Sequence, residues 1–456
     1  MAMKNIFILS LIVLVVSCSN TKCIDKDCEF LKSLLPEASI SFREAIDDGL
    51  DIEDFMSTVK KTYKFNSRHI HKNASLNDKG INTDAFADAI AWSLKQNLKR
   101  KDSHISVSSE KIGYKPFLPI TVYLSDILFK KNGENYYVLE NSSDSINVGM
   151  KYTGDLRNIV TEFLDGKIIY RYVAYSDIPI NEAEINLCGK KFKVNLKEVK
   201  LNSTKGNDIG YEKKHDVLKV NIKTFHPRFE ENINEYEKVT EEICQHLSDC
   251  NSVIFDFRDN TGGEMNRFIP ILATMLFGKI HLYEDERIKI LKDYLDEGMK
   301  ELVTETVQNR QILEGGKKTS FYHENKEIKY FIHKGPEKKI NFQNQDFKGN
   351  IYVVMNSYTA SAAEYVIATL KEFFGERVVT IGTKTAGVAD FGGAFLYVLP
   401  DSKVKINLCF ADYTCTTSLS KENAWNGDTE GIYPDVRVHS FQPRLSPVKI
   451  ATNQFK

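Results

Sequence analysis

A serine stands three residues before a glutamate in Thr359-Ala360-Ser361-Ala362-Ala363-Glu364, between an apolar run, IYVVMN, and an amphipathic run, YVIATLKEFF. The S-x-x-E spacing is that of a capping box, in which each side chain satisfies an orphan amide at a helix start. The same strand–turn–helix position can instead hold a nucleophile, because unpaired amides and the helix dipole stabilise negative charge there. Spacing alone does not separate the two roles. A reactive serine also needs a base at neutral pH. Of ten histidines, His104 stands out, because it sits in Asp-Ser-His-Ile directly after a well-patterned helical run.

A second stretch, SVIFDFRDNTGG (252–263), reads as a buried strand that ends in a small-residue turn. Gly262 and Gly263 can reach backbone angles that other residues resist, and they expose their amides as an oxyanion site requires. By itself such a turn is usually only a turn. Lys384 lies in GTKTAG, on the N-terminal side of Thr385, and its plain reading is a surface lysine.

These residues need a scaffold. Residues 29–103 are helical in pattern; TDAFADAIAWSLKQNLKR places Phe86, Ile90, Leu94 and Leu98 on one face, with Thr83 as N-cap. From 117 to 207, ITVYLSDILF, NYYVLE, KIIYRYVAYS and KKFKVNLKEVK are strands separated by turn residues. From 208 to 440 strand and helix alternate, which argues for an α/β layer with substantial parallel pairing. Within it, NRFIPILATMLF reads as a helix interrupted by Pro270. The charged segment 281–348 reads as a solvated helical excursion.

The 456-residue chain carries 42% apolar and 27% charged residues and a net charge of −1, an ordinary globular profile that argues against a nucleic-acid partner. Lys4 precedes IFILSLIVLVVS (6–17), the length of a signal-peptide apolar core and short for a membrane span. The run closes on Val-Val-Ser-Cys, which resembles a bacterial lipobox with Cys18 as the lipidated first residue of the mature protein. Export and a membrane tether are therefore expected, with a plain cleaved signal as the alternative. Seven further cysteines include the near neighbours Cys23/Cys28, Cys244/Cys250 and Cys409/Cys415. None has C-x-x-C spacing, so neither a metal site nor a redox motif is expected.

In order, DSHI, FDFRDNTGG, NSYTASAAE, GTKTAG and TEGIYPDV resemble the motifs of the tail-specific (C-terminal-processing) serine peptidase family. The nearest branch is the one that includes the tricorn core protease, the interphotoreceptor retinoid-binding protein modules and the chlamydial secreted protease. The resemblance implies Ser361 as nucleophile, His104 as general base, Ser103 as a supporting hydrogen-bonding residue and Glu430 as orienter. It implies an oxyanion hole from Gly262 or Gly263 with Ala362. Where the Ser/Lys members carry a lysine after T-x-G, this chain has Val388, which cannot accept a proton. The histidine-using branch lacks that lysine as well.

The implied fold is α/β, a ClpP/crotonase-like core with an N-terminal helical segment and a PDZ-like β-rich insert. The segments are a signal peptide (1–17), a tether (18–28), the helical segment (29–112), the β-rich and possibly PDZ-like domain (113–207) and the peptidase core (208–445). The expected function is an exported, lipid-anchored serine endopeptidase of the cell envelope, periplasmic or outer-membrane, acting on protein or peptide substrates without a cofactor. Two alternatives are a non-catalytic ligand- or peptide-binding protein on the same fold, and a Ser/Lys peptidase using Lys384.

Overall fold

The computed structural model describes residues 24–164, 167–199, 208–226, 230–279, 285–313, 330–337, 342, 344–420 and 431–439. Cys18, Cys23 and Glu430 lie outside them. The chain divides into two compact units, each discontinuous in sequence. One takes residues 1–118, 299–333 and 390–413, and the other takes 119–298, 334–389 and 414–456.

The first unit packs helices over 24–38, Ile40–Asp47, Ile52–His69 and Thr83–Asn97 with an antiparallel sheet. The strand order is Tyr330–Ile332, Lys300–Leu302, Lys405–Asp412, Ser106–Ser108, Gly113–Tyr114, and Phe391–Val398 also pairs with Lys405–Asp412. Phe86, Ile90, Leu94 and Leu98 are buried as their spacing predicts. The cap, however, is Asn82 rather than Thr83: its Oδ1 accepts the Ala85 N–H at 3.0 Å. Asparagine and threonine are both good caps, and the extended backbone of Asn82 decides between them.

The second unit contains the α/β core. Its sheet runs β6 (Val436–Arg437), β5 (Val378–Gly382), β4 (Asn350–Met355), β3 (Ser252–Asp256), β2 (Val217–Ile222), β1 (Ile209–Lys214). Strands β2 to β6 are parallel and only the edge strand β1 is antiparallel. The central strands β3 and β4 carry near-continuous apolar runs because both faces are covered; Val253, Phe255, Ile351, Val353 and Val354 are fully buried. Three helices serve this core: α1 (Glu230–Leu247), α2 (Ile269–Phe277) and α3 (Ala362–Phe374). Pro270 does not interrupt α2. It lies in the first turn, where its missing N–H costs nothing.

The same unit holds a second, all-antiparallel sheet over residues 121–198. Among the described residues of that stretch, strands and one 3-10 turn, Leu156–Asn158, are the only regular elements. The charged segment 281–348 is not a solvated excursion. Its helix Glu286–Leu295 buries Leu291 and Leu295, its strand Lys300–Leu302 pairs in the first unit's sheet, and the Tyr365 hydroxyl donates to the Leu295 carbonyl at 2.5 Å. Leu291 and Leu295, four residues apart, share the side of the helix that packs. The six described cysteines, Cys28, Cys188, Cys244, Cys250, Cys409 and Cys415, are free thiols, so Cys244/Cys250 and Cys409/Cys415 are not bridged. No helix of the described residues is long and apolar enough to cross a membrane.

Candidate active site

Ser361 precedes α3 with φ +54° and ψ −123°. That settles what the spacing left open about its backbone. A capping serine sits in the extended region, whereas Ser361 occupies a left-handed conformation that costs a non-glycine residue about 1–3 kcal/mol and persists only when its surroundings over-determine it. The surroundings here do so. Glu364 accepts the Ser361 N–H at 3.0 Å, and the Glu364 N–H in turn binds the Ser361 carbonyl at 2.9 Å.

Glu364 does more than close a capping box. Its carboxylate is fully buried and accepts the Thr385 hydroxyl at 2.5 Å, the Gly387 N–H at 2.8 Å and the Val388 N–H at 2.9 Å. One side chain thus fixes both the serine and the loop after β5. Burial pushes its pKa up to about 7, against the pull of these four donors. Thr385 passes the order on, because its hydroxyl also accepts the Ile432 N–H at 2.7 Å. Glu364 was visible in the sequence only as half of a cap. The stronger signal was a lone carboxylate inside the otherwise apolar run AAEYVIA, which a buried helix must satisfy internally.

The turn after β3 is stitched to the turn after β4. Asp259 N–H donates to Asn356 Oδ1 at 3.1 Å, Asn356 Nδ2 donates back to Asp259 Oδ1 at 2.9 Å, and the Thr359 hydroxyl donates to the Phe257 carbonyl at 2.8 Å. Buried Asn260 accepts the Gly262 N–H at 2.8 Å, and its carbonyl accepts the Ala360 N–H at 2.9 Å. Gly262, at φ +97°, therefore rests on Ser361: a methyl group there would lie 2.7 Å from Ser361 Cβ and 2.9 Å from the Ala360 carbonyl. Only glycine fits. Of the two glycines, Gly262 has committed its amide to Asn260. Gly263 and Ala362 keep N–H groups that no described residue accepts. Gly263 and Ala362, rather than Gly262, are the amides this turn leaves for an oxyanion.

Lys384 is not a surface lysine. It is 3% exposed, with Nζ 3.3 Å from the Tyr433 hydroxyl, 4.6 Å from the Tyr433 ring centre and 5.5 Å from that of Tyr175. The two aromatic faces offer a buried ammonium partial compensation for lost water. A turn rich in Gly and Thr gives no sequence sign of this, since the tyrosines come from distant segments. Val388, in the position a Ser/Lys dyad would need, contributes only its N–H to Glu364.

His104 and Ser103 belong to the first unit, in the turn between the helix Thr83–Asn97 and the strand Ser106–Ser108. Both side chains are partly exposed. Fully buried Asp102 accepts the His104 main-chain N–H on Oδ1 at 3.1 Å and the Ser41 hydroxyl on Oδ2 at 3.1 Å; the Cys409 thiol also donates to it. Asn407 Nδ2 donates to the His104 carbonyl at 3.1 Å. The backbone of His104 is thereby held on both sides. Burial, helped by the Lys115 charge, lowers the His104 pKa to about 4, so the imidazole is neutral and able to accept a proton at pH 7. Burial raises Asp102 to about 6. Asp102 and Asn407 were not singled out from sequence; an aspartate two residues before a histidine can cap its amide, but nothing in the sequence points to Asn407.

Gly262 and Gly263 are thus held against Ser361 and Ala362 by two stitched turns of the second unit, and Ser103 and His104 share one turn of the first. Glu430 lies outside the described residues; its neighbour Gly431 packs on the Thr385 carbonyl.

No curated protein matches the chain. Among solved structures, mature CPAF complexed with lactacystin is 13% identical, with 91% of this chain and 93% of that one covered and a TM-score of 0.40. The photosystem II D1 C-terminal processing protease is 13% identical over 91% and 92% of the two chains, at 0.37. The tricorn protease is 13% identical over 94% of this chain and 35% of that one, at 0.34. Residues 216–438 match peptidase family S41, a span that runs from β2 to β6 and contains Gly262, Ser361 and Glu364. With the ordered motifs around Ser361, that match gives the chain a peptidase family S41 region over residues 216–438 and makes it a serine-type peptidase.

Proposed function

We propose that the chain is an exported, lipid-anchored serine endopeptidase that hydrolyses peptide bonds in protein substrates through an acyl-enzyme. The observation that carries the reading is the left-handed backbone of Ser361, fixed by Glu364 and seated against Gly262. A helix cap has no use for that strain.

In the proposed reaction, His104 takes the Ser361 hydroxyl proton as Oγ attacks the substrate carbonyl. The N–H groups of Gly263 and Ala362 receive the oxyanion. Collapse breaks the C–N bond, His104 returns the proton to the leaving amine, and water, deprotonated by His104, releases the acyl group. Glu430 is assigned to orient the imidazole and Ser103 to support it. The β-rich segment 113–207 is read as a PDZ-like part that takes up peptide by strand addition.

A Ser/Lys mechanism gains one specific observation, the burial of Lys384. Its amine engages the Tyr433 hydroxyl and ring, however, which favours a structural role.

The test is labelling of the purified protein by a fluorophosphonate probe. Wild type should label and Ser361→Ala should not. An unlabelled wild type would favour the non-catalytic binding alternative. Export is tested separately by palmitate labelling in a bacterial host, expected for wild type and absent from Cys18→Ser.

A further inference from the structure

We propose that Asp102, His104 and Cys409 form a binding site for a borderline-soft divalent cation, zinc in the first instance, and that its occupancy switches the peptidase off. The inhibitory half rests on the reading of His104 as the base. The site itself does not.

The three residues are brought together by sheet register. The strand Ser106–Ser108 pairs antiparallel with Lys405–Asp412, Ser106 opposite Asn407. Continued by two residues, that register sets Cys409 opposite His104. Residues two apart on a strand share a face, so Asn407 and Cys409 act on one side; Asn407 reaches the His104 carbonyl and Cys409 reaches Asp102. One ligand atom from each of Asp102, His104 and Cys409 lies within 4.8 Å of the others.

The donor set is selective. One sulfur, one imidazole nitrogen and one carboxylate oxygen suit zinc, which takes Cys, His and Asp ligands in a tetrahedron with bonds of about 2.0–2.3 Å. Such a site spaces its ligand atoms roughly 3–4 Å apart, so closure requires small side-chain rotations rather than a rebuilt backbone. Hard cations such as calcium and magnesium need several oxygens, and this cluster offers one carboxylate. The charges also balance, because a thiolate and a carboxylate neutralise a dication. Asp102 and Cys409 are fully buried, while His104 is the one residue of the three that is only partly buried, so the fourth position would fall to water. Loading releases the thiol proton to solvent. An imidazole whose lone pair is bound to a cation cannot take the proton of a serine hydroxyl.

The experiment uses the full-length protein, reduced and freed of metal, titrated with cobalt(II) as a spectroscopic stand-in for zinc. A thiolate-to-cobalt charge-transfer band should appear, disappear on zinc addition, and be absent from Cys409→Ser and from Cys409→Ala. Circular dichroism verifies the fold of both variants. In peptidase assays, zinc should inhibit wild type and chelator should restore it, and Cys409→Ser, measured against its own metal-free rate, should lose at least roughly 10-fold in zinc sensitivity, the scale on which ligand-shell changes act. No band, or an equal band in both Cys409 variants, overturns the site. A Cys409-dependent band without inhibition overturns the switch and counts against His104 as base. A Cys409-dependent band in a protein that never labels with the fluorophosphonate leaves the site standing and removes the peptidase reading.

Discussion

The turn that carries Ser361 and the turn that carries His104 are built on the same device. In each, a fully buried carboxylate accepts the main-chain N–H of the residue proposed to react: Glu364 for Ser361 at 3.0 Å, Asp102 for His104 at 3.1 Å. In each, burial lifts that carboxylate's pKa, to about 7 and about 6. The differences are instructive. Ser361 is held in a left-handed conformation and His104 is not. Glu364 spends its remaining capacity on the loop 385–388, whereas Asp102 spends it on Ser41 and the Cys409 thiol. One turn stores backbone strain beneath a rigid clamp. The other is unstrained and is tied to a group that can bind a metal.

The largest expected effect tests whether strain means catalysis. Ser361→Gly should abolish peptidase turnover, by about 10⁶-fold on the scale seen when a serine hydrolase loses its nucleophile. The same variant should be more stable, by roughly 1 kcal/mol: about 1–3 kcal/mol of relieved strain less about 0.5–1 kcal/mol of glycine entropy. Thermal or urea unfolding measures this. A simple cap would instead lose a few tenths, and a lower melting temperature would return Ser361 to the capping role.

His104→Ala should cut kcat by several orders of magnitude, while Lys384→Ala should leave most of it. An active His104→Ala variant beside an inert Lys384→Ala variant would transfer the base role to the buried lysine. Next in size is Gly262→Ala, whose new methyl collides with Ser361 Cβ. It should lower kcat by 100-fold or so, as about 1 Å of misplacement can, with little change in KM.

The clamps themselves are distinguished by pH. Glu364 should ionise near pH 7, and only the carboxylate accepts all four donors, so activity should fall as pH drops through about 7. Its folded pKa lies above the usual 4.5, so its stability contribution is fully present below about 4.5 and is lost as pH rises through about 7. Activity and stability should thus move in opposite directions across this window, and Glu364→Gln should flatten both. The limb from His104 should lie near 4 rather than near the ordinary 6.5, because burial disfavours the imidazolium. Its depressed pKa makes its stability contribution complete above about 6.5 and progressively lost toward 4. A wild-type profile with one limb near 6.5, unmoved by Glu364→Gln, would break the comparison.

The smallest effect separates the two carboxylates. Asp102→Asn keeps an acceptor for the His104 amide, so kcat should fall by less than in Glu364→Ala, which releases the serine and the loop together. Equal losses would mean that both clamps act alike.

Much of this was legible in the sequence because it depends on local order. Hydrophobic periodicity marked the helix with Phe86, Ile90 and Leu94, and the runs SVIFD and IYVVM marked two buried parallel strands, since both patterns follow from backbone geometry alone. The Asn-Thr-Gly-Gly turn and the S-x-x-E spacing located the segments around Ser361. What the sequence could not show were the relations between segments. The backbone angle of Ser361 follows from Glu364 and Gly262 pressing on it from different elements. The burial of Lys384 depends on Tyr175 and Tyr433, and that of Leu291 and Leu295 on which side of a charged helix meets the core. Cys409 meets Asp102 and His104 only because two strands far apart in the chain pair in one register. Local pattern is a property of neighbours along the chain, whereas strain, burial and ligand clustering are set by side chains that distance in sequence keeps out of any motif.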